Sequence, residues 1–167
     1  MAETAAATRT KPAINSRFIS HGTLGSYDLD RSRKFYEDFL GLEVVQTSKI
    51  SLMIRLGGNH VYAVVKTAKK PVMDRLFHNG IDVDTPEEVD EAYRTVLDSA
   101  EEWGLHDWDE PKEQHGTYSF KFWDMDENCW EILSNPANGY TWIFDQGDLE
   151  GKGHFERGFY RTRPDGK

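Results

Sequence analysis

Residues 18–45 read FISHGTLGSYDLDRSRKFYEDFLGLEVV, and the order of residue types in this stretch decides the fold. Residues 17–27 alternate loosely between apolar and small or polar side chains, the pattern of a half-buried strand. Asp28 or Asp30 then offers a carboxylate to cap a helix. Phe35, Tyr36, Phe39 and Leu40 fall on one face of that helix as an apolar stripe, and Gly41 supplies the left-handed residue that stops it. His21 stands apart, because a strand at that position more usually carries a small or apolar side chain.

Outward from this stretch, LEVVQTS, SLMIRLG and HVYAVVKT read as three short strands, with a hairpin turn at GGN, residues 57–59. The pattern is β-α-β-β-β, and it recurs. RLFHNGIDV (75–83) reads as a strand. TPEEVDEAYRTVLDSAEEWG (85–104) is a helix in which Thr85 and Glu88 form a capping box and Pro86 takes the first helical position. Val89, Ala92, Tyr93, Val96, Leu97, Ala100 and Trp103 share its apolar face. A variable stretch (105–116) leads to the strands TYSFKFW and CWEILS.

The repeat gives His21 company. His78 occupies the same place in the second copy, on the first strand just before the helix. Glu131 follows at a similar interval on the last strand. One such histidine reads as a satisfied core residue; two at equivalent positions plus a strand carboxylate read as a shared site.

Composition bounds the function. The chain has 167 residues, 38% of them hydrophobic, enough for a packed interior. Its net charge of −9 argues against nucleic acid, which demands a basic face. A single cysteine, Cys129, excludes an internal disulfide and suits the reducing cytoplasm. No apolar run approaches the roughly 20 residues that span a bilayer, so no membrane contact is expected. Residues 1–15 lack a secretory signal and read as a flexible arm. Residues 137–167 form an aromatic extension with Tyr140, Trp142, Phe144, Phe155, Phe159 and Tyr160, either a lid or a surface that packs on another subunit. His106 and His154 have no motif around them and read as surface residues.

The opening segment HGTLGSYDLDRSRKFYEDFLGLEVV and the closing segment DMDENCWEIL (124–133) resemble the vicinal oxygen chelate superfamily over residues 17–136. That superfamily includes glyoxalases, fosfomycin-resistance transferases and extradiol ring-cleaving dioxygenases. The resemblance implies an α+β fold in which two βαβββ modules, 16–70 and 74–136, form a cup-shaped mixed sheet around a metal. It implies His21, His78 and Glu131 as the metal ligands. In the closing turn Met125 and Glu127 replace the usual proline and glycine, and Asn128 is the candidate for the left-handed conformation.

Strand parity fits such a cup. If His21 faces the metal, so do Thr23, Gly25 and Tyr27, while Leu24 turns to the helix. His78 would bring Gly80 and Asp82, with Ile81 and Val83 turned away. Glu131 would bring Cys129 and Leu133, with Trp130 and Ile132 on the helix side. Two imidazoles and one carboxylate are the usual set for a non-haem Fe(II) oxygenase. A glyoxalase-type Zn, Ni, Co or Mn site normally draws a fourth ligand from the last strand of the first module, and HVYAVVKT holds no carboxylate. Fe(II) is therefore the expected metal, with Mn and Zn as alternatives.

Extradiol enzymes resemble this chain around three further residues. His60, followed by Val-Tyr-Ala-Val, corresponds to a histidine that moves protons near the metal; it reads equally as a strand-edge residue beside the turn. His115 lies where those enzymes bind substrate, or is a solvated loop residue. Lys121 stands where they carry a tyrosine; it either pairs with an anionic substrate group or snorkels to water. Tyr27, Tyr118 and Trp142 are the aromatic candidates for contacting substrate. The expected activity is Fe(II)-dependent cleavage of a catechol-like diol with O2, by a homodimer. The alternatives are a metal-dependent isomerase, lyase or thiol transferase of the same superfamily, or a small-molecule (antibiotic) binding protein.

Overall fold

A computed structural model describes residues 18–69, 73–114, 116–135, 139–141 and 144. Both modules are present. The first runs β1 (His21–Ser26), α1 (Leu29–Lys34), a π-helical turn (Phe35–Phe39), β2 (Glu43–Ser48), β3 (Ser51–Arg55) and β4 (Val61–Lys66). The second runs β5 (Asn79–Asp82), α2 (Pro86–Trp103), β6 (Lys112–Gln114), β7 (Thr117–Trp123) and β8 (Cys129–Ser134). Each module folds as one four-stranded sheet, in the orders β1-β4-β3-β2 and β5-β8-β7-β6. The first pair in each order is parallel and the rest antiparallel.

The helix signals act as their chemistry dictates. The Asp28 carboxylate accepts from the backbone N–H groups of Asp30 and Arg31. Thr85 and Glu88 form a reciprocal capping box, and Gly104 ends α2 at φ 69°. The π-helical turn inserts an extra residue per turn, so the Leu40 N–H reaches the Phe35 carbonyl. Phe35 and Tyr36 are both fully buried there, and Phe39 stacks on Phe35 at 5.2 Å between ring centroids.

Three expectations need correction. The strand expected over 75–83 begins only at Asn79. Asp74 holds residues 74–77 in a turn, its carboxylate accepting from Leu76 N–H and its carbonyl from Phe77 N–H. His78 therefore precedes its strand. In the closing turn the left-handed residue is Glu127, at φ 66°, not Asn128. Asn128 is fully buried instead, and its amide donates to the Gly25 carbonyl at 3.0 Å and to the Asp124 carboxylate.

One core joins the modules, and it lies between the backs of the two sheets. Leu24, Val64, Leu52 and Ile54 line the back of the first sheet; Phe120, Phe122, Trp130 and Ile132 line the back of the second. Tyr36 meets Trp130 edge-on at 6.0 Å and Phe39 meets Phe122 at 6.4 Å. The β7–β8 turn locks onto the first module. Asp126 accepts from Tyr27 N–H at 2.7 Å and from the Ser32 hydroxyl. The consequence for the site is geometric: the two other faces, those of His21 and of Glu131, both look away from the shared core.

Candidate metal centre

His78 and Glu131 come together. His78 stands one residue before β5, in phase with Gly80, which pairs with Glu131 across the parallel β5–β8 ladder. Its Nε2 lies 3.1 Å from Glu131 Oε2. Its Nδ1 lies 2.9 Å from the Arg75 carbonyl oxygen, which can only accept, so Nδ1 carries the proton. In the neutral ring Nε2 is then a bare lone pair aimed at a carboxylate oxygen. Two acceptors at that distance are reconciled by a shared proton or by a bound cation.

The other carboxylate oxygen of Glu131 is fully engaged. Oε1 accepts from Lys121 Nζ at 2.7 Å, from the Ser119 hydroxyl at 2.8 Å and from Gln114 Nε2 at 3.3 Å. These bonds fix the carboxylate so that Oε2 is the oxygen offered to His78. Lys121 and Glu131 are both 6% exposed, so the pair is a buried one. The cationic lysine neutralises part of the charge a metal would see. The donor set nevertheless fits a divalent cation: an imidazole whose other nitrogen is hydrogen-bonded to a carbonyl, and a carboxylate oriented by its far oxygen.

His21 lies elsewhere. Its ring is exposed, and Nδ1 lies 2.8 Å from the Ser20 hydroxyl. Among the described residues no three His, Cys, Asp or Glu side chains converge closely enough to hold a metal. The parity expectation holds within each sheet, since Thr23 is exposed beside His21 while Leu24 is buried. Among the described residues of one chain, His21 does not join the pair formed by His78 and Glu131.

Two other candidates point away from these faces. His60 precedes β4 in phase with Tyr62 and Val64, on the back of the first sheet. Its ring packs edge-on against Tyr62 at 5.2 Å, and Nδ1 lies 3.1 Å from the Ile19 carbonyl. Tyr118 shares its side of β7 with Phe120 and Phe122, and its hydroxyl donates to Asp90 on α2 at 2.8 Å. Alternation along the strand puts Tyr118 opposite Lys121 and Glu131. Tyr27 is half-buried at the junction of the modules, where its N–H meets Asp126. His115 and Trp142 lie outside the described residues. His106 is half-exposed and pairs with Asp107 at 3.0 Å.

The sequence missed several groups that shape the site. Ser119 and Gln114 share the Glu131 face and were findable by parity from Glu131. Tyr140, from the C-terminal extension, also belongs here. Its hydroxyl pKa is raised by burial first and then by the charge of Glu131, while hydrogen bonds with Thr117 and Asn135 oppose the rise. Arg75 carried no signal. Its guanidinium lies over the Trp123 ring at 4.7 Å, pairs with Asp109 at 3.1 Å and donates to the Asp107 carbonyl at 2.8 Å. It thereby pins the turn whose carbonyl orients His78. Arg75→Ala is expected to weaken metal binding about tenfold while leaving the fold intact, as read by metal titration beside a thermal melt.

Residues 18–132 match the family model described as the Glyoxalase/Bleomycin resistance protein/Dioxygenase superfamily. The chain belongs to that superfamily. Solved structures agree on the fold. A possible glyoxalase from Bacillus cereus superposes with a TM-score of 0.58 at 22% identity, over 71% of this chain and 99% of that one. The fosfomycin resistance protein FosX from Listeria monocytogenes superposes with a TM-score of 0.58 at 18% identity, over 74% and 98%. A glyoxalase/dioxygenase from Nostoc punctiforme gives 0.58 at 18%, over 76% and 97%. No curated protein matches. Identities this low establish the superfamily's architecture and leave the reaction to be argued from this chain's own residues.

Proposed function

We propose that this superfamily member is a metal-dependent enzyme whose centre is completed between two copies, with His78 and Glu131 of one chain and His21 of the other holding one divalent cation. The observation that carries this reading is the convergence of His78 Nε2 and Glu131 Oε2, each oriented by a hydrogen bond on its far atom. Assembly from two chains is supported by the separation of the half-sites and by the apolar residues beside each histidine. Phe18 and Ile19 are 56% and 80% exposed next to His21; Leu76 and Phe77 are 82% and 70% exposed next to His78. Apolar pairs this open are what a homodimer would cover.

When bound, the metal would act as a Lewis acid toward neighbouring oxygens of a small substrate. Lys121 sets the local electrostatics. Its ammonium, held at the Glu131 carboxylate, favours an anionic substrate group or negative charge developing on a substrate oxygen. The Tyr140 hydroxyl stays protonated near neutral pH and is available as a donor on the same face. This set suits redox-neutral chemistry: isomerisation, elimination or group addition. Lys121 in place of a tyrosine, with His60 and Tyr118 on the backs of their sheets, supports that choice.

A second reading, Fe(II)-dependent cleavage of a catechol-like diol with O2, is favoured by one observation. The β4 residues in register with the His21 side, Val61, Ala63 and Val65, offer no fourth ligand. Metal analysis with oxygen-electrode assays separates the two. Protein reconstituted in turn with Fe(II), Mn(II) and Zn(II) is expected to hold about one metal per chain, lost in His78→Ala, without oxygen uptake on catechols. Uptake with Fe(II) alone would transfer the conclusion to ring cleavage. Wild-type protein that binds none of the three would refute both.

A further inference from the structure

On the helix side of the second sheet a cleft of about 320 Å³ runs between α2, β5 and the π-helical turn. Phe39 and Leu40 wall it from the turn, Ile81 and Val83 from β5, and Ala92 from α2. All five pack against the core yet keep part of their surface open, so the walls are both held in place and accessible. The Phe39 ring is held by Phe35, at 5.2 Å, and by Trp103, at 5.9 Å. Alternation along β5 sends Gly80 and Asp82 to the Glu131 face, so this cleft and the metal half-site lie on opposite sides of the strand.

The flank of α2 supplies the charge. Glu88 and Glu91 are three residues apart, hence neighbours on the helix surface, and Thr95 continues the same flank one turn on. Glu88 spends one oxygen on the Thr85 N–H, at 3.0 Å. Glu91 is exposed and lies beyond the first turn, where the positive end of the helix dipole no longer opposes a bound cation. Among the described residues no basic side chain lines the cleft. An apolar trough with carboxylates along one rim complements a molecule that is apolar at one end and cationic at the other. Apolar burial then gives the affinity, and the carboxylates select the sign of the charge.

We propose that this cleft binds a small hydrophobic ammonium ion, its apolar end on Leu40, Ile81 and Val83 and its charge beside Glu91. None of the candidate metal ligands lines the cleft, so the proposal stands apart from the metal reading.

Phenethylammonium is the probe, and the full-length protein with labelled Ile, Leu and Val methyl groups is the sample. The methyl resonances of Leu40, Ile81 and Val83 are expected to shift saturably on titration. Phenethyl alcohol keeps the apolar end without the charge and is expected to bind about fivefold more weakly, and the anion hydrocinnamate more weakly still. Glu91→Gln, a change at an exposed helix position, should weaken the ammonium about threefold and leave the alcohol unchanged. Added salt should narrow the gap between ammonium and alcohol. Phenethylammonium that leaves these methyl groups unmoved would overturn the proposal. So would equal affinities for ammonium and alcohol, or ammonium binding untouched by Glu91→Gln.

Discussion

Glu131→Gln is expected to abolish metal retention and to lower stability by about 3–5 kcal/mol, the larger part of it through Lys121. The Lys121 ammonium is buried, and among the described residues its carboxylate partner at close range is Glu131 Oε1, at 2.7 Å. A glutamine keeps the shape and removes the charge, so the ammonium remains in a poorly solvated place without a counter-ion. The same substitution takes the anionic oxygen from His78 Nε2. Two separate losses are thus predicted, and a second variant divides them. Lys121→Met with Glu131→Gln should recover most of the stability, because neither charge is left stranded, and still hold no metal. Denaturant unfolding beside metal analysis of both variants checks this. Metal retained by Glu131→Gln would contradict the assignment of Glu131.

Asp124 carries the second large effect. Its carboxylate is fully buried and takes the N–H groups of Asp126 and Asn128, the Asn128 side chain and the Trp130 indole. Asp124→Ala strands these donors at the junction of the modules and is expected to cost about 3–5 kcal/mol in a denaturant melt. Burial, the dominant cause, pushes the Asp124 pKa up to about 6; the bonds from Trp130 and Asn128 pull it back, and Asp126 adds a smaller rise. The folded state thus holds this proton more tightly than the unfolded chain, where the ordinary value is 3.8. The stabilisation is complete below that ordinary value and is lost as pH rises through about 6. Over that interval it amounts to on the order of 2–3 kcal/mol. Compared with Asp124→Asn, which cannot titrate, the wild-type melting temperature should rise on going from pH 7 to pH 5. A constant difference between the two proteins would refute this assignment.

Much of this was legible in the sequence because it is local. Capping at Asp28 and Thr85, the left-handed stops at Gly41 and Gly104, and the alternation that puts Leu24 and Trp130 on the core side all depend on near neighbours. The repeat exposed His21 and His78, and the resemblance implied that His78 and Glu131 share one face, which the β5–β8 register bears out for that pair. What could not be read was which faces meet. Alternation says that His21 and Glu131 lie opposite the helices; it does not say whether the two sheets of one chain share a cup or turn their backs on each other. That is decided by long-range packing, by Tyr36 on Trp130 and Asp126 on Ser32. His60 illustrates the same limit. A likeness over a short run of residues suggested a proton-transfer role, whereas its phase with Tyr62 puts it on the back of the sheet. Arg75 was invisible because a turn has no period, and its part comes from a carbonyl and from contacts distant in the chain.

The central claim is that one centre is built from two chains, and subunit mixing tests it most directly. His21→Ala and His78→Ala each remove one half-site, so neither alone is expected to retain metal. Unfolded together in equal amounts and refolded, random pairing puts half of the chains in mixed dimers, each with one intact centre. Metal retention should then return to about a quarter of the wild-type level. Retention that stays at the level of the separate variants, in a mixture shown to have exchanged subunits, would contradict a centre shared between chains.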